Sequence, residues 1–301
     1  MIKRIVDISE RAYLRIKNRQ LVIEKAGEVV GQIPVEDLGV LILDHPAVVI
    51  TQAAIVACQK NNVAVVFCDE RHLPYSLALP ISDGHSLHQK VLRQQLEVTK
   101  PNQKRLWQQI VRCKIREQAQ TLVEAGKDGQ SLASMVKRVK SEDKGNHESQ
   151  AAQLYWRLLM GEGFRRRQRD TEGANALLNY GYSIVRTMVA RAIVGTGLHP
   201  ALGIHHHNQY NGLCLADDLM EPFRPWVDLC VYNMLGNGQP LEINKENKKV
   251  LLGMISKQVV LKGEKMPLMV ALHYLVSDFK QVCFGKEVVL EYPQMVELGV
   301  A

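Results

Sequence analysis

The 301-residue chain contains six cysteines but no Cys-x-x-Cys pair. Cys58 and Cys68 close the apolar runs Ile55-Val56-Ala57-Cys58 and Val65-Val66-Phe67-Cys68. They read as small buried hydrophobes of a reducing compartment, which argues against thiolate zinc sites and a disulfide framework. No run approaches the length of a membrane span. The opening residues, Met1-Ile2-Lys3-Arg4-Ile5, lack the apolar core of a secretion signal, so a cytoplasmic protein without a membrane partner is expected. Internal repeats and low-complexity segments are missing too, which sets aside solenoids and disordered tails.

What is present is an ordinary globular composition, 46% hydrophobic and 23% charged, with charge unevenly placed. Between His85 and Asp170 there are 18 Lys and Arg against 9 Asp and Glu, a net of +9. The whole chain carries +7, so the remainder is near −2. A basic segment of this kind is either a solvated helix face or the electrostatic footprint of a polyanion.

The hydrophobic period changes along the chain. Tyr13 to Lys17 and Gln20 to Glu24 flank Asn18-Arg19 as a hairpin, and Glu28 to Ile33 gives another strand closed by Pro34. Leu38 to Leu43 and Val63 to Phe67 are continuous apolar runs, the pattern of strands buried on both faces. A helix capped by Thr51 lies between them. Pro74, Pro80 and Gly84 mark a hinge region from Asp69 to Ser86. Beyond it the period is helical, with a long stripe from Leu177 to Ile193 that stops at Gly195-Thr196-Gly197. Further helices are predicted over Trp226 to Leu235, Val250 to Val259 and Pro267 to Val282. The predicted fold class is α+β: a small N-terminal β-rich domain (1–75), a linker (76–86) and a larger all-helical C-terminal domain (87–301).

Three groups in the helical part carry chemistry. Glu148 shares the i, i+4, i+7, i+11 face of Ala152, Tyr155 and Leu159, so its carboxylate turns toward the apolar side and must be paired, protonated or metal-bound. The plain alternative is an acid in the first helical turn, favoured by the macrodipole. The triplet His205-His206-His207 follows Gly203 and Ile204. Asp218 and Glu221 are three apart, neighbours on a helical face, with Arg224 as an available counter-cation. Oxygen and imidazole ligands without thiolate suit Mg²⁺ or Mn²⁺, and such an ion in a basic protein suits phosphodiester chemistry. A zinc hydrolase built on the triplet is disfavoured, because three successive histidines do not readily supply three facial ligands. A non-catalytic basic DNA-binding or assembly protein is the main rival. Arg165, Arg166, Arg167 and Arg169 are the candidates for phosphate contacts.

Four motifs in order make the pattern specific: Glu148-x-x-Ala151-Ala152-x-x-Tyr155-Trp156, Asn175-x-x-Leu178-Asn179-Tyr180-Gly181-Tyr182, Gly197-Leu198-x-Pro200-x-Leu202-Gly203-x-x-His206, and Asp218-Leu219-Met220-Glu221-Pro222-Phe223-Arg224-Pro225. Together they resemble the CRISPR-associated spacer-integration family, the metal-dependent DNA endonuclease and integrase of CRISPR adaptation. The acidic segment resembles its type II branch. The resemblance implies an N-terminal β domain that builds a homodimer and a C-terminal helical domain that carries catalysis. It implies Glu148, His206 and Glu221 as ligands of Mg²⁺ or Mn²⁺, with Asp218 a nearby acidic group. The implied partners are DNA, as spacer precursor and CRISPR repeat, and a dimer of the small CRISPR-associated adaptation protein. For the type II branch they extend to the RNA-guided effector nuclease and a ring-shaped DNA-end-binding protein.

Overall fold

The computed structural model describes residues 3–81, 85–168 and 170–295. The N-terminal part holds two four-stranded sheets. One has the order β1 (Arg4–Ile8), β5 (Leu38–Leu43), β7 (Ala64–Cys68), β8 (Pro74–Ala78). The other has the order β4 (Glu28–Pro34), β3 (Gln20–Lys25), β2 (Tyr13–Lys17), β6 (Val49–Ile50). Asn18 and Arg19 both have positive φ, 50° and 61°, as the tight two-residue turn between β2 and β3 requires. Helix α1 (Gln52–Lys60) starts where predicted, with the Thr51 hydroxyl accepting from the Ala54 N–H.

The parallel strands β1, β5 and β7 explain the two apolar runs. Leu41, Leu43, Val63 and Val65 pack with Leu14, Leu21 and Ala54 in a core between the two sheets and α1. Val40, Ile42, Ala64 and Val66 face the opposite way and join the helical core. This sheet therefore has apolar partners on both faces, one of them supplied by the helical part. β8 pairs antiparallel with β7 inside the stretch read as hinge, and it carries the sheet past residue 75. Its mixed polarity is that of an edge strand, where Pro74 needs no ladder donor.

The remainder is mostly helical. After α2 (His88–Leu96), Pro101 opens the 25-residue α3 (Lys100–Glu124) in its first turn. α4 (Gln130–Val136), α5 (His147–Met160), α6 (Gly173–Gly195), α7 (Cys214–Met220) and α8 (Arg224–Gly236) follow. α6 is buried nearly all round, the pattern of a central helix. α9 (Lys245–Ile255) ends earlier than predicted. Gln258–Leu261 is a strand, β9, joined through Lys262-Gly263 to β10 (Glu264–Pro267). α10 (Leu268–Cys283) and β11 (Gln294–Met295) complete the described chain, with sheet order β10-β9-β11. The all-helical expectation thus becomes a mostly helical part bearing one small sheet. Among the described residues, no helix is long and apolar enough to cross a membrane.

Candidate metal and DNA site

Helix α5 has no side-chain cap from its own N-cap residue, Asn146. Asp143 does that work from the preceding 3₁₀ turn, accepting from the N–H groups of His147 (3.0 Å) and Glu148 (2.8 Å). This fixes Glu148 at the start of the helix while Ala151, Tyr155 and Leu159 anchor its buried face. Both expectations for Glu148 hold at once: it occupies the first turn, and it faces a paired environment. Its Oε1 lies 2.6 Å from the Lys114 ammonium, which comes from the middle of α3.

Asp218 is fully buried in α7 and organises the histidine loop. Its Oδ2 accepts from the N–H groups of Ile204 (2.5 Å) and His205 (2.9 Å), and its Oδ1 from the His206 N–H (3.3 Å) and ring Nδ1 (2.5 Å). Gly203 is needed in this loop, because a Cβ there would lie 2.3 Å from the His206 carbonyl oxygen and 3.0 Å from Asp218 Oδ2. The hydrogen bond that its ring makes to Asp218 raises the His206 pKa above its ordinary value, against the opposing effect of burial. The three histidines have different surroundings. His205 stacks on Trp107 with ring centroids 4.1 Å apart, and burial lowers its pKa. His207 lines a separate small cavity, whereas His206 faces the same cleft as Glu148 and Glu221. With Nδ1 engaged by Asp218, its Nε2 is the ring nitrogen left for a ligand.

Glu221 begins the 3₁₀ turn after α7 and is almost completely buried. Its Oε1 accepts from Arg224 Nε (2.9 Å), and its Oε2 lies 2.5 Å from Lys114 Nζ. The Lys114 contact falls outside hydrogen-bond angles, so Oε2 is held by an ion pair and by no well-directed hydrogen bond. Burial alone would raise the Glu221 pKa, but Arg224 and Lys114 bring it down to about 2. The repulsion expected between Asp218 and Glu221 is thereby resolved separately for each, by backbone N–H groups at one and by two cations at the other.

Glu148, His206, Glu221, Lys114 and Arg224 line a cleft of about 700 Å³, with Asp218 buried behind it. Its walls also carry Arg166, Arg186 and Asp228. The motif asparagines hold the arginine loop: Asn175 Oδ1 accepts from the Arg167 N–H (2.9 Å) and Arg166 (3.1 Å), and Asn179 Oδ1 from Arg166 (2.6 Å). The Arg166 and Arg224 guanidiniums both lie over the Tyr182 ring, 5.1 and 4.7 Å from its centroid. Tyr155 and Tyr182 donate to the buried Asp228, whose pKa burial pushes up to about 7. Arg165 is exposed and bonded to the Glu162 and Phe164 carbonyls, Arg167 is exposed, and Arg169 lies outside the described residues. Lys114 and the Tyr155–Asp228–Tyr182 group were not singled out in the sequence. A signal existed for Lys114: it interrupts the buried stripe Trp107, Val111, Gln118, Thr121 at helical spacing.

Among the described residues, no three His, Cys, Asp or Glu groups lie close enough to hold an ion as they stand. The donor set nevertheless fits a hard or borderline divalent ion: a buried carboxylate with one oxygen in no well-directed hydrogen bond, a second carboxylate and an imidazole Nε2 face one cleft.

The architecture and cleft define a class, two-part chains whose helical region surrounds an acidic and imidazole site with arginines in its walls. The profile described as "CRISPR associated protein Cas1" matches residues 6–263. The chain belongs to the Cas1 family. The CRISPR-associated endonuclease Cas1 of Neisseria meningitidis serogroup C is 36% identical over 270 residues, 89% of this chain and 88% of that one. A second relative, a CRISPR-associated endonuclease Cas1 of Saccharolobus solfataricus, is 27% identical over 77% of this chain and 75% of its own. Among solved structures, a Cas1 protein from Thermotoga maritima superposes with a TM-score of 0.79 at 16% identity, covering 95% of this chain and 99% of that one. A casposase bound to integration product gives 0.76 at 20% identity, covering 95% and 92%. At these identities the likeness establishes the shared fold.

Proposed function

We propose that the chain is a metal-dependent DNA endonuclease and integrase of CRISPR adaptation. It joins the 3′-hydroxyl ends of spacer DNA to the CRISPR repeat. The reaction is a transesterification: a new P–O bond forms to the attacking 3′ oxygen, the repeat's own P–O bond breaks, and the proton lost by the attacking hydroxyl is balanced by one taken up by the leaving oxygen. Water in place of the hydroxyl gives hydrolysis. The observation that carries this reading is the convergence on one cleft of Glu148, Glu221 and the cleft-facing His206, with Arg166, Arg186 and Arg224 in its walls.

In this reading Glu148, His206 and Glu221 hold Mg²⁺ or Mn²⁺. The bound ion supplies Lewis acidity to a phosphoryl oxygen and lowers the pKa of the attacking hydroxyl. Asp218 acts through His206, fixing the ring so that Nε2 faces the cleft. Arg166 and Arg224, braced on Tyr182, and the more exposed Arg165, Arg167 and Arg169 bind DNA phosphates. Replacing Arg165, Arg166 and Arg167 together by Ala should weaken DNA binding and flatten log K against log[salt] by about 0.9 per lost duplex contact. An affinity loss at unchanged slope would mean that these arginines act through folding.

The partner assignments belong to the same reading. Residues 1–75 build a homodimer, 76–86 link, and 87–301 carry catalysis. Two such dimers flank a dimer of the small adaptation partner, with the type II effector nuclease and the ring-shaped DNA-end-binding protein as further associates. A chain of a Cas6-RT-Cas1–Cas2 complex, 35% of which is covered, superposes on 94% of this chain with a TM-score of 0.73 at 18% identity, a likeness of fold in keeping with that partner.

The test is to incubate the protein, with and without the small partner, with short duplexes and a supercoiled repeat plasmid in Mn²⁺ or EDTA. Covalent joining of duplex 3′ ends in Mn²⁺ alone is expected. DNA retention without product under every condition would instead support the non-catalytic DNA-binding reading.

A further inference from the structure

Lys114 stands between the two carboxylates assigned to the ion. Its ammonium is 2.6 Å from Glu148 Oε1 and 2.5 Å from Glu221 Oε2, and its side chain is 12% exposed. Arg224 covers the other oxygen of Glu221. Two carboxylates thus face two cations, and the group is charge-neutral with the chain's own residues alone. A divalent ion added to this arrangement would leave an excess of two positive charges in a mostly buried site, a costly state unless a cation withdraws or an anion enters.

The two cations are not equivalent. Arg224 makes a directed hydrogen bond to Glu221 and is braced by the Tyr182 ring 4.7 Å from its guanidinium. Lys114 has a hydrogen bond to Glu148 and a charge contact without direction to Glu221 Oε2. A lysine ammonium is a point charge on a flexible four-carbon stem, so it can leave one oxygen without dismantling a fork of bonds. The cleft next to it offers room to move, being lined by Gln118, Asn179, Ser183 and Asn211 as well as by the charged groups. Of the two, Lys114 is the cation that yields.

We infer that Lys114 is a resident counter-cation that competes with the divalent ion for Glu148 and Glu221. It keeps the carboxylate pair compensated and folded before loading, and ion entry requires it to withdraw from Glu221 Oε2. This rests on the ion assignment proposed above and adds a residue that opposes the ion. It is a positioning residue, acting through the two carboxylates. The loaded site, with Lys114 still nearby, carries surplus positive charge for the incoming phosphate, so ion and DNA binding reinforce one another.

The test uses the full-length protein and Mn²⁺ as the probe, with free Mn²⁺ read by electron paramagnetic resonance and melting followed by circular dichroism. Lys114→Met keeps the length and removes the charge, and Lys114→Arg keeps the charge. Lys114→Met should bind Mn²⁺ about tenfold or more tightly than wild type, corresponding to about 1.4 kcal/mol or more. It should melt lower without the ion and gain more from Mn²⁺, because Glu148 then lacks its counter-cation and the buried Glu221 keeps only Arg224. Lys114→Arg should bind no more tightly than wild type. If Lys114→Met is too unstable to assay, Lys114→Gln replaces it with the same expectation. Equal or weaker Mn²⁺ affinity in the uncharged variants, with Glu221→Gln weakening it, overturns the role of Lys114 and leaves the ion site standing. Mn²⁺ affinity indifferent to Glu221→Gln overturns both.

Discussion

Two lysines in this molecule each bridge a pair of carboxylates, and they do opposite things. Lys248, from α9, reaches the carboxyl ends of the parallel strands, where it bonds Asp44 and lies 3.7 Å from Asp7. His72 holds the other oxygen of Asp44 at 3.0 Å. Asp44 and Lys248 are 0% and 4% exposed in their side chains, and neither lines the cleft that holds Lys114. Lys114 also bridges two acids, but its group opens on a cleft with an imidazole and three arginines in its walls. Each group leaves one carboxylate oxygen without a hydrogen bond, Asp7 Oδ1 in one and Glu221 Oε2 in the other. An orphaned oxygen or a buried ion pair therefore does not identify a functional site. Access and the company of other ligands do. The Lys248 group ties the β-rich part to the helical part, reinforced by the exposed Lys245–Glu10 pair on the same helix.

Breaking the sealed bridge should have the largest effect on stability. Lys248→Met removes the cation from the buried Asp44, leaving it His72, and from the part-buried Asp7, with an expected loss of about 3 kcal/mol in urea unfolding. Mn²⁺ should not recover that loss preferentially, in contrast to Lys114→Met. Preferential recovery by Mn²⁺ would erase the distinction between the two groups.

Within the open site, His206→Ala should lower Mn²⁺-dependent strand transfer by about a hundredfold or more, and His207→Ala should be close to wild type. His205→Ala should cost mainly stability, through the lost stack on Trp107. Near-normal transfer in His206→Ala, with loss in His205→Ala or His207→Ala, would move the imidazole ligand to a neighbour.

Asp228 gives the smallest effect and a pH signature. Burial raises its folded pKa to about 7 from an ordinary value near 3.8. Its contribution is fully present below the unfolded pKa and is lost as pH rises through about 7. Asp228→Asn should therefore flatten the fall in melting temperature between about pH 4 and 7. Glu221, held down at about 2, has the opposite sign: its contribution is present above the unfolded pKa and lost as pH falls toward 2. An unchanged pH slope in Asp228→Asn would assign the acid its usual carboxylate pKa.

Much of the fold was legible because local chemistry and tertiary context agree. The Asn18-Arg19 turn, the Thr51 cap and the stop at Gly195-Thr196-Gly197 each have a local cause that the structure keeps. Strands β8 and β9 escaped for identifiable reasons. Pro74 and the mixed polarity of Tyr75-Ser76-Leu77 read as loop, although an edge strand tolerates both. Val259 and Val260 extended an apolar helical pattern, while the hairpin signal at Lys262-Gly263, with φ of 52° and 81°, lay just beyond. The two-sided burial of β5 and β7 was visible in their continuous apolar runs. Which partner covers each face was not, since that needs the helices in place.

The site was legible where a residue type announces chemistry. Glu148, His206, Asp218 and Glu221 are acids or an imidazole in apolar or glycine-rich company. Lys114 lies in a segment crowded with cations, and only its place on the buried stripe of α3 separates it from them. Its partners are 34 and 107 residues away in sequence, so the bridge exists only once α3, α5 and the turn after α7 have packed.

The central claim is that Glu148 serves the chemistry and not DNA affinity or folding. The direct measurement is the joining of duplex 3′ ends to a supercoiled repeat plasmid by Glu148→Gln in Mn²⁺, with the small partner present and DNA affinity determined on the same preparation. The account predicts a folded protein that binds DNA at least as tightly as wild type, because an acid is removed from a polyanion-binding surface, with joining reduced by about a thousandfold or more. Joining at the wild-type rate by that DNA-bound variant would contradict it.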